Sequence, residues 1–479
     1  MKSLKKNYIY NLVYQVVAII APLITAPYIS RVLGPENIGK YSYTQSIIAY
    51  VIMLSTIGTT TYAQREIAFR QGDKEKQTKV FTAILFIRSS LSLIGCLVIF
   101  LIAFYYKEYA ILFAIQAIEI FANVICIDWF YAGNENFKAT MTRNLAIRVI
   151  NVVCIFLFVK NRDDLYKYVL IITLSTLFGN ATLWVTLSKY ISKIEFKGLE
   201  IVGHFRGSLS VFSAQVAASV YSMLDKIMIG LITHSEFENG YYEQAQKIEK
   251  IALIFVTALG TVIMPKISKA YADNNEEEVK KSINKSFNYM WFISIPMCFG
   301  MISTASVFIP WFFGEEYNKS IVLIQILALL LIAIGINNIT GLQFLMSTNK
   351  EKLLTESVLV GAVINVVFNL VLISRFQSIG AAIASVIAEF SVAITQLLFI
   401  RRIIDVKHFF AMSKNYFISG LLMLAAVLIM KHTYFYRSDI VSIICLVFIG
   451  VVSYLIGLLL QRDTIIISII ERVRVKISK

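Results

Sequence analysis

Charge is scarce in this 479-residue sequence: Asp, Glu, Lys and Arg together make up 16% of it, against about 25% in soluble domains. With 57% hydrophobic residues and a mean hydropathy of +0.70, that shortage excludes a soluble globular domain and a disordered chain alike. Cysteine is also sparse. Cys96, Cys126, Cys154, Cys298 and Cys445 each sit inside an apolar run, which excludes a disulfide framework and reads as packing. The four histidines, His204, His234, His408 and His432, have no ligand spacing, so neither a metal nor a cofactor is expected. Gly34-Pro-Glu-Asn-Ile-Gly-Lys40 fits seven positions of a phosphate-binding loop, but Tyr41 stands where a Ser or Thr must hold magnesium. The pair Asp163-Asp164 reads as a solvated turn, because nothing around it forms a sugar-nucleotide site. No connection exceeds about 17 residues, too short for a folded domain outside the spans. An enzyme is therefore not expected. The net charge of +15 is better explained by loop placement than by nucleic acid.

What the sequence has in abundance is long apolar runs. About 14 reach the roughly 20 residues that cross a bilayer, giving an all-α polytopic membrane protein. The plan is set by Asn7–Ala68: an apolar span with Pro22 and Pro27, a turn at Arg31–Lys40, and a second span. Gly39-x-Tyr41-x-x-x-Gln45-x-Ile47 returns as Gly240-x-Tyr242-x-x-x-Gln246-x-Ile248. The offset of 201 residues superimposes the flanking spans without a gap, which points to an internal duplication and a transporter-like plan. Lys and Arg crowd alternate connections, among them the N-terminus, Arg65–Lys79, Lys189–Arg206, Lys266–Lys285 and Arg401–Lys414. By the positive-inside rule these face the cytoplasm, with both termini. The basic start and first apolar run are expected to form a retained helix rather than a cleaved signal. Thr464–Ile477, with Arg472, Arg474 and Lys476, is expected to be an interfacial basic helix. Ile403–Lys414 is expected to lie in the membrane plane.

Polar groups inside spans are costly in hydrocarbon and therefore informative. The cations are Arg88 in span three, Arg148 in span five and Lys226, beside Asp225, in span seven. Glu119 and Asp128 lie in span four and Glu389 in span twelve. Asn337, Asn338 and Gln343 follow in span ten, with Asn365 and Asn369 in span eleven. An Arg148–Asp128 ion pair, snorkelling, or interhelical hydrogen bonding are the structural alternatives to a ligand site.

The opening, Ala26-Pro-Tyr-Ile-Ser-Arg-Val-Leu-Gly-Pro35 with Gly39-Lys-Tyr-Ser-Tyr43, resembles the polysaccharide repeat-unit flippases. These are the Wzx-type members of the multidrug/oligosaccharidyl-lipid/polysaccharide superfamily. Asp225-Lys-Ile-Met-Ile-Gly230 and Met264-Pro265 resemble that family's second-half landmarks. The resemblance implies a MATE-like fold of two pseudo-symmetric six-helix lobes, 1–197 and 198–402, two added spans in 403–461, and a tail at 462–479. It implies a bacterial cytoplasmic membrane and a polyprenyl-diphosphate-linked oligosaccharide turned to the outer leaflet by alternating access. Neighbouring polymerase or assembly proteins would be its partners. Arg88, Arg148, Lys226, Asp225, Arg31, Gln45, Asn337, Asn338 and Asn365 are then candidates for the substrate cavity. Glu119, Asp128 and Glu389 are candidates for ion coupling. A drug/cation antiporter of the same superfamily would share the fold, and a membrane polymerase is the enzyme alternative.

The orientation is testable with an impermeant maleimide. In a cysteine-free background, Glu36→Cys should label from outside intact cells and Lys76→Cys only after permeabilisation. Equal labelling from outside would overturn the assignment.

Overall fold

The computed structural model describes the backbone of residues 2–193, 198–401, 405–434, 437–463 and 465–467. Side chains are described there except in 2–19, 137–139, 213–222 and 261. Among the described residues the secondary structure is helical, without strands. Helices α1 (Lys2–Thr56), α2 (Thr59–Phe69), α3 (Lys74–Tyr105) and α4 (Ala110–Val124) come first. Next are α5 (Asp128–Gly133), α6 (Phe137–Phe158), α7 (Leu165–Leu187) and α8 (Ile201–Thr233). After these come α9 (Glu236–Thr257), α10 (Gly260–Ala272), α11 (Glu276–Phe312), α12 (Lys319–Leu327) and α13 (Leu330–Asn337). The chain closes with α14 (Glu351–Phe376), α15 (Ser378–Ile400), α16 (Val406–Thr433) and α17 (Ile440–Leu460).

Eleven helices among the described residues are long and apolar enough to cross a membrane, or twelve if the pair Glu236–Thr257 and Val262–Ala272, bent by 43°, is one span. The chain is a multi-pass membrane protein. The count stops short of the expected fourteen partly because α1 enters it once. Gly34, at φ 74°, interrupts α1, so that two spans run on either side of a single non-helical residue. The ten-residue turn expected at Arg31–Lys40 is therefore helical on both sides. Pro35 explains this: its fixed φ pre-forms the first turn of the helix it opens. Spans five and thirteen are longer than their apolar runs, as α6 and α16 begin before them. Val406–Lys414 is the start of α16 rather than a separate in-plane helix. Most of the tail Thr464–Ile477 lies outside the described residues.

The chain divides into two compact units, 1–230 with 235–240, and 231–234 with 241–479. Asp225 and Lys226 thus belong to the first. In that unit, buried clusters tie α2, α3 and α5 to α7 through Ile67, Phe81, Trp129 and Leu183, and α1 to α6 and α7 through Ile29, Ile155 and Val169. In the second unit one large core joins α10 and α11 to α16 and α17 through Ile267, Phe287, Tyr416 and Leu458. Large apolar side chains are exposed along the outer faces, such as Leu93, Phe100, Val363 and Phe448, as expected where lipid is the solvent. Helix starts at the polar boundary are capped by carboxylates. Lys76 N–H donates to Asp73 Oδ1 at 3.0 Å and Ser442 N–H to Asp439 Oδ1 at 2.7 Å. Those bonds hold both carboxyls below the usual carboxylate range.

The duplicated motif meets itself within the first unit. A Cβ on Gly39 would strike the carbonyl of Glu236, and one on Gly240 would strike the carbonyl of Pro35. Since residues 35 and 39 correspond to 236 and 240 in the repeat, the contact is reciprocal. The obstacles are backbone atoms and cannot turn aside. Gly39→Ala and Gly240→Ala should each destabilise the purified protein by about 1–3 kcal/mol, the usual cost of overpacking. Gly203→Ala, whose new methyl meets only Glu200 side-chain atoms at 3.9 Å, should not. Thermal unfolding in detergent measures the difference.

Candidate functional site

Span four does not run through the membrane as one helix. It is α4 and α5 with a break at Ile125–Ile127. A helix end leaves carbonyls without intrahelical partners, and in hydrocarbon no water is present to take them. Three side chains do so. Asn180 Nδ2 donates to Ala122 O at 2.7 Å, Trp184 Nε1 to Ile125 O at 2.8 Å, and Arg88 Nη1 to Cys126 O at 2.9 Å. Arg88 is 2% exposed. Its other nitrogens reach Thr59 Oγ1 at 2.8 Å and Thr60 Oγ1 at 2.7 Å, and its guanidinium lies over the Trp129 ring. The burial expected of a functional cation is thus used to bind α2 and α3 to the break.

Behind the break opens a polar cavity of about 490 Å³, wholly within the first unit. Glu119 and Asn123 reach it from α4, Arg143, Asn144, Arg148 and Asn151 from α6, and Thr176 and Asn180 from α7. Gln45 Nε2, from α1, donates to Glu119 Oε2 at 2.7 Å. Asp128, at the first turn of α5, accepts from Arg143 Nη2 at 2.6 Å. The same guanidinium donates to Asn180 Oδ1 at 3.1 Å and to Asn144 Oδ1 through Nε and Nη2. Of the sequence candidates, Arg148, Glu119 and, through single hydrogen bonds, Gln45 and Asp128 come together here. Arg143, which ties Asp128 to Asn144 and Asn180 on the cavity wall, was missed. It sits two residues before the apolar run of span five, which starts at Leu145, and so reads as a loop cation. Asp128, offered by the sequence as a partner for Arg148, forms an ion pair with Arg143.

The remaining candidates lie elsewhere. Arg31 is exposed on α1, Asp225 is buried on α8, and Lys226 beside it is half-buried. In the second unit, α13 passes into a π-helical stretch, Asn338–Leu345, whose wide turns are supported by side chains. Asn337 Nδ2 donates to Glu389 Oε2 at 2.6 Å, Gln343 Nε2 to Asn338 Oδ1 at 2.9 Å, and Ser286 Oγ to Gln343 Oε1 at 2.6 Å. Asn365 Oδ1 accepts from Asn369 Nδ2 at 3.0 Å within α14. Glu249 on α9, 3% exposed, is another buried carboxylate, which the sequence reading did not single out. An apolar groove of about 490 Å³ lies between α11, α16 and α17, lined by Phe292, Pro296, Met423, Leu446, Gly450 and Tyr454 among others.

Removing Arg88 leaves a buried carbonyl and two hydroxyls without their donor. Arg88→Ala should lower the stability of the purified protein by about 1.5–3 kcal/mol. Arg88→Lys should recover little of it, because an ammonium cannot span three partners held in a planar fork. A melting curve unchanged by both would remove the bracing role.

The profile of the family described as "Polysaccharide biosynthesis protein" matches residues 4–271, and that described as "Lipid II flippase MurJ" matches residues 239–451. The chain is 26% identical over 406 residues to the "Putative O-antigen transporter" of Escherichia coli K12, covering 83% of this chain and 97% of that protein. It is 22% identical over 420 residues to "Capsular polysaccharide biosynthesis protein CapF" of Staphylococcus aureus, covering 83% and 99%. The fold is similar to that of a lipid II flippase MurJ in an inward closed conformation. There the TM-score is 0.75 at 14% identity, over 96% of this chain and 99% of that one. An inward-facing MATE multidrug transporter superposes with a TM-score of 0.62 at 17% identity, over 82% and 95%. The MATE-like fold inferred from the sequence is thereby established, and since the first profile spans more than half of the sequence, the chain belongs to the polysaccharide biosynthesis protein family.

Proposed function

We propose that this chain is a flippase that moves polyprenyl-diphosphate-linked oligosaccharide repeat units across the bacterial cytoplasmic membrane for surface polysaccharide export. The observation that carries the reading is the polar cavity lined by residues of membrane-spanning helices in a chain of this family. A glycan crossing hydrocarbon needs such a wall, since each unpaired polar group there is heavily penalised. The names of the relatives point to the same class of cargo. The chain carries no nucleotide-binding motif, so direction comes from the membrane potential or a counter-ion. Glu119, Asp128 and Glu389 are the residues to which ion coupling is assigned. Both termini are placed in the cytoplasm. The working units are two six-helix lobes, 1–197 and 198–402, that rock to alternate access, with two further spans in 403–461 and a tail at 462–479. The apolar groove between α11, α16 and α17 suits an isoprenoid chain. Arg148 and Lys226 are assigned to the head group, with Arg31, Gln45, Asp225, Asn337, Asn338 and Asn365 as further polar wall. Arg88 positions the cavity from behind.

The reading is tested by reconstitution. Vesicles holding the purified chain should translocate lipid-linked repeat units extracted from polymerase-deficient cells, and empty vesicles should not. Arg148→Ala should reduce that rate about tenfold, as loss of one charge-assisted contact does, with the melting temperature kept. Equal translocation by loaded and empty vesicles would defeat the proposal.

A further inference from the structure

The cavity of the first unit has a chemistry that selects which part of such a substrate it holds. Its strongest donor is already engaged. Every nitrogen of the Arg143 guanidinium has a protein acceptor: Asn144 on Nε, Asn180 on Nη1, and Asp128 with Asn144 on Nη2. The fork that would grip a phosphate in two places is therefore closed. The formal charges also cancel, with Arg143 and Arg148 set against Glu119 and Asp128. At and just behind this cavity, three buried side-chain oxygens have no hydrogen-bond partner among the described residues. Asn151 Oδ1 lies on the wall, while Gln45 Oε1 and Asp128 Oδ1 lie one hydrogen bond behind it. A diphosphate linkage at neutral pH offers only acceptors and would face these atoms oxygen to oxygen. Sugar hydroxyls and acetamido N–H groups donate. Four asparagines, Asn123, Asn144, Asn151 and Asn180, line a space of about 490 Å³, within the ~300–1,000 Å³ common for small-molecule sites.

We infer that this cavity receives the glycan of the lipid-linked substrate, through donors that satisfy Asn151 on its wall, and that the diphosphate is held elsewhere. The inference rests on the flippase reading and assigns a sugar subsite within it. Arg148 then acts as a donor to hydroxyl oxygens, balanced by Glu119, rather than as a phosphate clamp.

The test uses the full chain in nanodiscs with two probes. One is undecaprenyl diphosphate without sugar, and the other is the lipid-linked repeat unit extracted from polymerase-deficient cells. Asn151→Leu keeps the branched shape and removes the acceptor. It should weaken binding of the sugar-bearing lipid about tenfold while leaving the sugar-free lipid unchanged, and that unchanged affinity also reports an intact fold. Asn151→Asp keeps an acceptor and adds negative charge, so it should retain the sugar-bearing lipid. Equal losses on both probes, loss of both lipids with Asn151→Asp, or no loss on either with Asn151→Leu would overturn the subsite. If the wild-type chain neither binds nor translocates the sugar-bearing lipid, the flippase reading fails and the subsite with it. If the wild type does both and the variants fail to discriminate, the subsite alone fails.

Discussion

A helix cannot stop inside a membrane unless something else takes the carbonyls it abandons. In the first unit that requirement falls on span four, where α4 ends and α5 begins two turns short of the span's end. Asn180, Trp184 and Arg88 each donate to one of the freed carbonyls. Each comes from a different place on the neighbouring helices, so the break fixes where α3 and α7 must stand. It also turns Asp128 toward Arg143 on α6. A carboxylate at the first turn of α5 is favoured by the helix dipole. The polar cavity is thus the space a broken helix leaves once its backbone has been satisfied by its neighbours.

The second unit meets the same demand differently. Span ten widens into π-helical turns rather than stopping, and its polar side chains form a ladder to the adjoining helices. Thr340 Oγ1 donates to Gln396 Oε1 at 2.5 Å, Gln396 Nε2 to Ser357 Oγ at 3.0 Å, and Asn337 to the Glu389 carboxylate. Such bonds are worth only about 0.6 kcal/mol on average between membrane helices. Their larger effect is on register, because each step of sliding would strand several polar groups at once. Wide turns of this kind recur where helices carry function.

Much of the fold was legible because apolar length and Lys/Arg placement act locally along the chain. Gly34 and Pro35 marked a boundary between spans, though not how short it would be, since that depends on Pro35 starting a helix at once. The polar residues Arg88, Arg148, Glu119 and Glu389 could be named from their cost in lipid. Their partners could not, because pairing depends on which helices are neighbours. Arg143 shows the limit most clearly. Hydropathy places it outside span five, and only the approach of α5, α6 and α7 makes it the centre of a hydrogen-bond cluster. Arg88 carries the complementary lesson, as its burial was foreseen and its occupation by Thr59, Thr60 and Cys126 was not.

The meeting of Gly39 with Glu236 and of Gly240 with Pro35 has the form of an isologous interface, in which residue i touches j and j touches i. Homodimers obtain that relation from two identical chains, and a single mutation then alters both halves together. Here the two halves are encoded separately, so each glycine can change alone while its counterpart still demands a backbone within reach. A bulky residue at either site is opposed by the unchanged copy of the motif. Each glycine is thus held small by the backbone opposite it, whatever its counterpart becomes, and paired small residues should persist as a durable trace of the duplication.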